Sequence, residues 1–363
     1  MAPPKAKPSV LSITPYAGSE AGIDGSDRIV ISSNESALGA SWRAMEAYSS
    51  ASADVRRYPE IDAHSLRQAL ADHHRLDVDR IICGCGSDQI INLLALCFAG
   101  PGDETLSTEH GFTMYPIATL GAGATPVAVP ETNLTADVDA ILDRVTERTR
   151  IVFLANPNNP TGTYLPEEEL RRLHAGLPED VLLVLDGAYA EFVIEEDYLA
   201  GETLVREFSN VVMTRTFSKI YALASLRVGW AYAPVEIIDV LDRVRPPFNV
   251  STPAIAAAKV ALEDREHTER SRVQNAEMLL WFTQQVEALG LKVNPSVANF
   301  VIVRFCPDSA QNAKAAYEFL FRRGIVARRV AGYGLPDWLR MSIGTREEME
   351  EVVVTLKAFL ETS

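Results

Sequence analysis

Three short apolar runs constrain the fold more than anything else in this chain. Residues 151–155 (IVFLA), 181–185 (VLLVL) and 211–214 (VVMT) each end in turn-forming or polar residues. Runs of this length with no polar alternation are buried on both faces, as parallel strands between helices are. Helical patterning occupies 65–74, 89–98 and 114–120, and shorter strand-like stretches lie at 104–107 and 125–129. The alternation predicts an α/β unit with a mainly parallel sheet. After Pro246-Pro247 the pattern changes. Residues 252–289 read as one long helical stretch. A strand-like region at 292–305, a helix at 312–323, strands at 325–327 and 339–343 and a terminal helix at 346–360 follow. These predict a smaller α+β unit, and the arm around 29–42 is expected to join it. The expected organisation is an arm over 1–46 that packs with the small domain, a large domain over 47–250 and the small domain over 251–363.

Bulk properties narrow the partners. The hydrophobic share is 47% and the charged share 23%, as in ordinary globular proteins. A net charge of −15 disfavours nucleic acid and anionic membrane. No run of eighteen apolar residues is present, so no membrane span is expected. The first ten residues, MAPPKAKPSV, read as a Pro/Lys-rich tail without the apolar core of a signal peptide. Cys83, Cys85, Cys97 and Cys306 read as reduced thiols of a cytoplasmic protein. Cys83-Gly84-Cys85 is too tightly spaced for the usual zinc knuckle, and no histidines have ligand spacing, so no metal is expected. His73-His74 reads as a solvated helix face.

Open α/β sheets bind ligands at the carboxyl ends of their strands, and the polar clusters of this chain fall there. After 151–155 comes Asn156-Pro157-Asn158-Asn159-Pro160-Thr161-Gly162, in which Asn159 is a candidate donor to a hydroxyl or phenolate. After 181–185 comes Asp186, with Tyr189 three residues on. A carboxylate ending a buried strand needs a cationic partner, which a protonated pyridine nitrogen would supply, or else it caps a following helix. After 211–214 comes Thr216-Phe217-Ser218-Lys219, with Arg227 eight residues later. Such a lysine can form a Schiff base with a carbonyl cofactor, while the serine and the guanidinium bind a phosphate. Gly86-Ser87-Asp88, at a helix start, is a further anion site or a plain N-cap.

These sites have one joint reading. Phosphate falls to Gly86, Ser87, Ser218 and Arg227, a pyridine nitrogen to Asp186, a ring hydroxyl to Asn159 and Tyr189, and an aldehyde to Lys219. The ligand with those four groups is pyridoxal 5′-phosphate, whose hallmark is a lysine with an acidic ring-nitrogen partner.

On these residues the chain resembles the fold-type I, pyridoxal 5′-phosphate-dependent aminotransferases of class I/II, and among them the histidinol-phosphate aminotransferase family. The resemblance runs from Pro15-Tyr16 to the C-terminal helix. Arg57-Tyr58-Pro59-Glu60, Pro247-Phe248-Asn249-Val250 and Tyr333-Gly334-Leu335-Pro336 narrow it within the wider group. It implies a homodimer in which Tyr58 reaches the phosphate of the partner's cofactor. It also implies that Asp88 belongs to the cofactor site and that Phe112 stacks on the ring. Arg340 would take a substrate carboxylate, and Arg328, Tyr16 and Asn34 would line the substrate pocket. Gly187 replaces a frequent glutamate, and the arm lacks a frequent proline after Asn34-Glu35. The implied reaction is transamination of histidinol phosphate with 2-oxoglutarate, with Lys219 as proton shuttle. Rival readings are an aromatic amino-acid aminotransferase, a decarboxylase of threonine phosphate and a non-catalytic cofactor-binding regulator. The acidic charge and the lack of a DNA-binding segment argue against the last.

Overall fold

The computed structural model describes residues 4–16 and 28–362. Residues 1–3 of the expected tail and 17–27 of the expected arm lie outside them. A seven-stranded sheet dominates. Its spatial order is Ile81–Cys85, Val228–Tyr232, Val211–Thr216, Leu182–Asp186, Thr149–Ala155, Glu104–Thr108 and Thr125–Val129. Val228–Tyr232 is antiparallel to both of its neighbours, and the other pairings are parallel. The three apolar runs are its central strands. Val152, Leu154, Leu183 and Leu185 enter one core, while Ile151, Phe153, Leu182 and Val184 enter the core on the opposite face. Two covered faces explain the absence of polar alternation in these runs.

Two strands of this sheet escaped the sequence reading. Ile81–Cys85 contains the Cys83-Gly84-Cys85 triplet, and Val228–Tyr232 contains Gly229. Glycine weakens a strand signal, yet close packing demands it here: a Cβ on Gly229 would lie 2.1 Å from the Ser87 backbone nitrogen. All four cysteines are unpaired, and burial pushes the Cys83 thiol up to about 12.

A second, four-stranded antiparallel sheet has the order Lys292–Val293, Phe300–Arg304, Trp338–Ser342 and Arg328–Arg329. Its core packs Phe282, Val301, Leu339, Met341 and Leu356. Strand Ile29–Val30 pairs in parallel with Ile325–Val326, and the Ile31 carbonyl accepts from the Ser342 N–H. The long helical stretch expected over 252–289 is helical and divides into two helices, Thr252–Glu263 and Arg265–Ala288. They break at Asp264, whose ψ of 69° leaves the helix and whose side chain accepts from the His267 N–H. An internal aspartate favours such a cap over helix continuation.

His73-His74 is not a solvated face. The His74 ring is half-buried, with its centroid 5.1 Å from that of Trp230. Burial, with Arg215 behind it, brings its pKa down to about 3. Among the described residues no helix is long and apolar enough to cross a membrane, and no group of His, Cys, Asp and Glu has the makings of a metal site.

Candidate active site

Asp186 ends its strand in register with Ala155 on one side and Thr214 on the other. It is 4% exposed. Its neighbours are neutral donors: the Tyr115 hydroxyl to Oδ2 at 2.9 Å, the Thr214 hydroxyl to Oδ1 at 3.0 Å, and the Ala188 backbone N–H. Burial raises its pKa, and the three donors oppose that rise. It does not cap an α-helix. The chain instead enters a 3₁₀ turn, Ala190–Phe192, with Tyr189 immediately before it.

Lys219 follows the neighbouring strand Val211–Thr216. Its Nζ donates to the Ser33 carbonyl at 3.0 Å and stands 5.7 Å from the Tyr189 ring centroid. Burial, reinforced by Arg340 and more weakly by Arg227, lowers its pKa from 10.5 to about 8, while Glu35 works the other way.

The first turn of the helix Ser87–Phe98 forms a cradle with Arg227. Arg227 has a φ of 53°, and its Nη2 meets Asp88 Oδ1 at 2.7 Å. Its Nη1 donates to Ser218 Oγ at 3.4 Å and to the Ala224 carbonyl at 3.0 Å. Gly86 has a φ of +81°, and a Cβ there would lie 2.4 Å from Arg227 Nη2. Glycine therefore lets the guanidinium rest against the helix start, where unpaired N–H groups favour an anion. The Asp88 carboxylate is taken by Arg227, so what Asp88 offers a ligand is its backbone N–H.

The opposite wall comes from the arm and the small sheet. Arg340, on Trp338–Ser342, is 5% exposed. Its Nη1 donates to Asn159 Oδ1 at 2.5 Å and its Nη2 to the Ser32 carbonyl at 2.6 Å, while Nε has no partner among the described residues. Both partners are neutral, and burial lowers its pKa. Arg328 is the Cα partner of Arg340 on the adjacent strand, with its guanidinium 5.8 Å from the Tyr16 ring. Asn34, at a φ of 55°, donates from Nδ2 to the Tyr189 hydroxyl at 2.9 Å and from its backbone N–H to Ser342 Oγ at 2.8 Å. A positive φ suits asparagine better than most residues.

One cavity of about 410 Å³ gathers nearly all of these residues, with Phe112 and Tyr16 among its walls. Gly86 sits just behind it, in contact with Arg227. Tyr58 does not reach it. Its side chain is 82% exposed and stacks on Phe248 at 4.7 Å. The sequence reading missed four contributors: the carbonyls of Ser32 and Ser33, and the hydroxyls of Tyr115 and Thr214. Backbone carbonyls leave no sequence signal. Tyr115 was detectable in principle, one helical step from Phe112, and Thr214 as the strand residue level with Asp186.

Residues 26–356 match the family described as "Aminotransferase class I and II". The histidinol-phosphate aminotransferase of Rhodospirillum centenum is 53% identical over 361 residues, 99% of each chain. That of Dinoroseobacter shibae is 52% identical over 354 residues, 97% of each chain. The crystal structure of the Sinorhizobium meliloti histidinol-phosphate aminotransferase in complex with pyridoxal 5′-phosphate is similar with a TM-score of 0.91, at 29% identity over 99% of both chains. The L-threonine-O-3-phosphate decarboxylase of Porphyromonas gingivalis has a TM-score of 0.80 over 92% of this chain and 100% of its own; at 23% identity it shares the fold alone. The chain is a fold-type I α/β protein of the class I and II aminotransferases, and within them it belongs to the histidinol-phosphate aminotransferase family.

Proposed function

We propose that this chain transfers an amino group from histidinol phosphate to 2-oxoglutarate, giving imidazole acetol phosphate and glutamate in histidine biosynthesis, or runs the reverse, with pyridoxal 5′-phosphate as cofactor. The observation that carries the reaction is Lys219, an amine of pKa about 8 in one cavity with a buried carboxylate and a buried guanidinium. Full-length relatives at 53% and 52% identity favour histidinol phosphate over the rival substrates.

The residues fit the cofactor at two points. Asp186 is a buried carboxylate with neutral partners, which a protonated ring nitrogen would complement. Ser87, Ser218 and Arg227 form a cradle, and a Cβ at position 86 would displace the Arg227 guanidinium from it. When bound, the cofactor supplies an aldehyde for an amine to join and a ring that takes up the electrons left when the substrate Cα loses its proton. Asp186 keeps a proton on the ring nitrogen. Asn159, whose Oδ1 is engaged by Arg340, offers its Nδ2 as the donor. Tyr189, held by Asn34, offers its hydroxyl beside it. Lys219 Nζ, with its lowered pKa, would take the Cα proton near neutral pH and deliver it to the former aldehyde carbon of the cofactor. Arg340 holds the carboxylate of glutamate, and Arg328 with Tyr16 holds the phosphate of histidinol phosphate.

A homodimer belongs to the same reading, with Tyr58 of each protomer directed to the phosphate site of the other. The exposed Trp42, Met45, Val55, Tyr58 and Ile61 support an apolar contact over this region. Four unpaired thiols suit a reducing, cytoplasmic setting.

The test is a panel of histidinol phosphate, phenylalanine, tyrosine and threonine phosphate, each with 2-oxoglutarate, read by glutamate formation and, for threonine phosphate, by CO2 release as well. Histidinol phosphate is expected to give the highest kcat/KM. No detectable turnover of it would overturn the substrate reading.

A further inference from the structure

Two buried hydroxyls from different elements converge on one carboxylate. The Tyr115 hydroxyl donates to Asp186 Oδ2 at 2.9 Å, and the Thr214 hydroxyl to Oδ1 at 3.0 Å. Both side chains are inaccessible to solvent. Thr214 is placed by register, as the Cα partner of Asp186 on the next strand. Tyr115 is placed by packing. Its ring lies parallel to that of Phe153, with 3° between the planes and 5.1 Å between centroids, and Phe112 meets it edge-on at 5.8 Å. Burial and the neighbouring Asp186 raise the Tyr115 pKa well above its ordinary value, so its oxygen keeps the proton it donates.

A buried carboxylate with one donor on each oxygen is fixed in rotation and favoured in its ionised form. Removing either hydroxyl takes one donor from a desolvated carboxylate and leaves it the other hydroxyl and the Ala188 N–H. The segment from Phe112 to Tyr115 thus touches two features of the cavity: its aromatic wall and, through the hydroxyl, its acidic one.

We propose that Tyr115 and Thr214 are positioning residues for the transamination, acting through Asp186. One hydroxyl on each carboxylate oxygen keeps Asp186 ionised and in a single orientation at the cavity wall. The inference rests on the reading of the cavity as a pyridoxal 5′-phosphate site.

The test compares wild type with Tyr115→Phe, Thr214→Val and Thr214→Ser. Pyridoxal 5′-phosphate is titrated into each apo protein and followed by visible absorbance. Steady-state kinetics with histidinol phosphate and thermal melting of the apo forms accompany it. Tyr115→Phe keeps the stacked ring, and Thr214→Ser keeps the hydroxyl. We expect Tyr115→Phe and Thr214→Val each to weaken cofactor binding and to lower kcat by about tenfold, the scale of one hydrogen bond to a charged group. The KM for histidinol phosphate should hardly move, and Thr214→Ser should behave as wild type. Wild-type affinity and kcat in both hydroxyl-deleted variants would overturn this inference alone, and so would an equal loss in Thr214→Ser. A wild-type protein that binds no cofactor would overturn the cofactor reading, and this inference with it.

Discussion

Asp186 and Arg340 face one cavity as buried charges of opposite sign, and they are built in different ways. Asp186 takes its donors from strand and helix neighbours around one sheet: Thr214, Ala188 and Tyr115. Arg340 takes its acceptors from Asn159, 181 positions away, and Ser32, 308 positions away. The acidic pole is therefore complete once the large sheet forms. The basic pole exists only when the arm, the loop after Thr149–Ala155 and the small sheet meet. Neither pole has an ion-pair partner among the described residues, and a buried charge of this kind is completed by a ligand of opposite charge. The difference in construction suits a resident ring at the acidic pole and an exchanging substrate at the basic one.

That division is open to attack by substitution. Lys219→Ala removes the amine proposed as the base, so glutamate formation should fall by about 10⁴-fold, the upper range for a general base. Turnover near wild type would remove Lys219 from the reaction. Asp186→Asn keeps the shape of the acidic pole and deletes its charge. Cofactor retention and kcat should fall by about 10³-fold, the upper range for breaking a buried charge pair, as judged by equilibrium dialysis and steady-state rates. Arg340→Gln should raise the KM for glutamate by about 10²-fold while leaving cofactor affinity in place. Equal losses in both quantities would mean that the two poles are one unit. Arg328→Ala should raise the KM for histidinol phosphate by about tenfold and leave the KM for glutamate unchanged.

The smallest expected effect is one of pH. Burial holds the folded pKa of Lys219 at about 8, against 10.5 for an ordinary lysine. A lowered lysine pKa means that the neutral, nucleophilic amine appears at lower pH. The rate at which the apo protein takes up pyridoxal 5′-phosphate should therefore rise with pH to a midpoint near 8 and then level off. A midpoint near 10.5 would show an amine untouched by its surroundings.

The same contrast governs what was readable in the sequence. Asn159, Asp186 and Lys219 each follow a buried parallel strand, and a covered strand announces itself by an unbroken apolar run. The acidic pole was legible for that reason. Val228–Tyr232 and Ile81–Cys85 were not, because Gly229 and Gly84 answer to close packing and interrupt the apolar pattern. The break at Asp264 is a single cap in an otherwise helical stretch. Nothing local marks the contacts of Arg340 with Ser32 or of Asn34 with Tyr189, since each joins segments more than 150 positions apart. Family resemblance alone pointed to Asn34, Arg328 and Arg340. It also pointed to Tyr58, which lies outside the cavity of its own chain.

Everything proposed for this cavity depends on Lys219 being the amine to which the cofactor attaches. Loading the protein with pyridoxal 5′-phosphate, reducing it with borohydride and mapping its peptides by mass spectrometry tests this directly. One phosphopyridoxyl group per chain, on Lys219, is the expected result. A label on another lysine, or no label on a protein that still turns over, would contradict it.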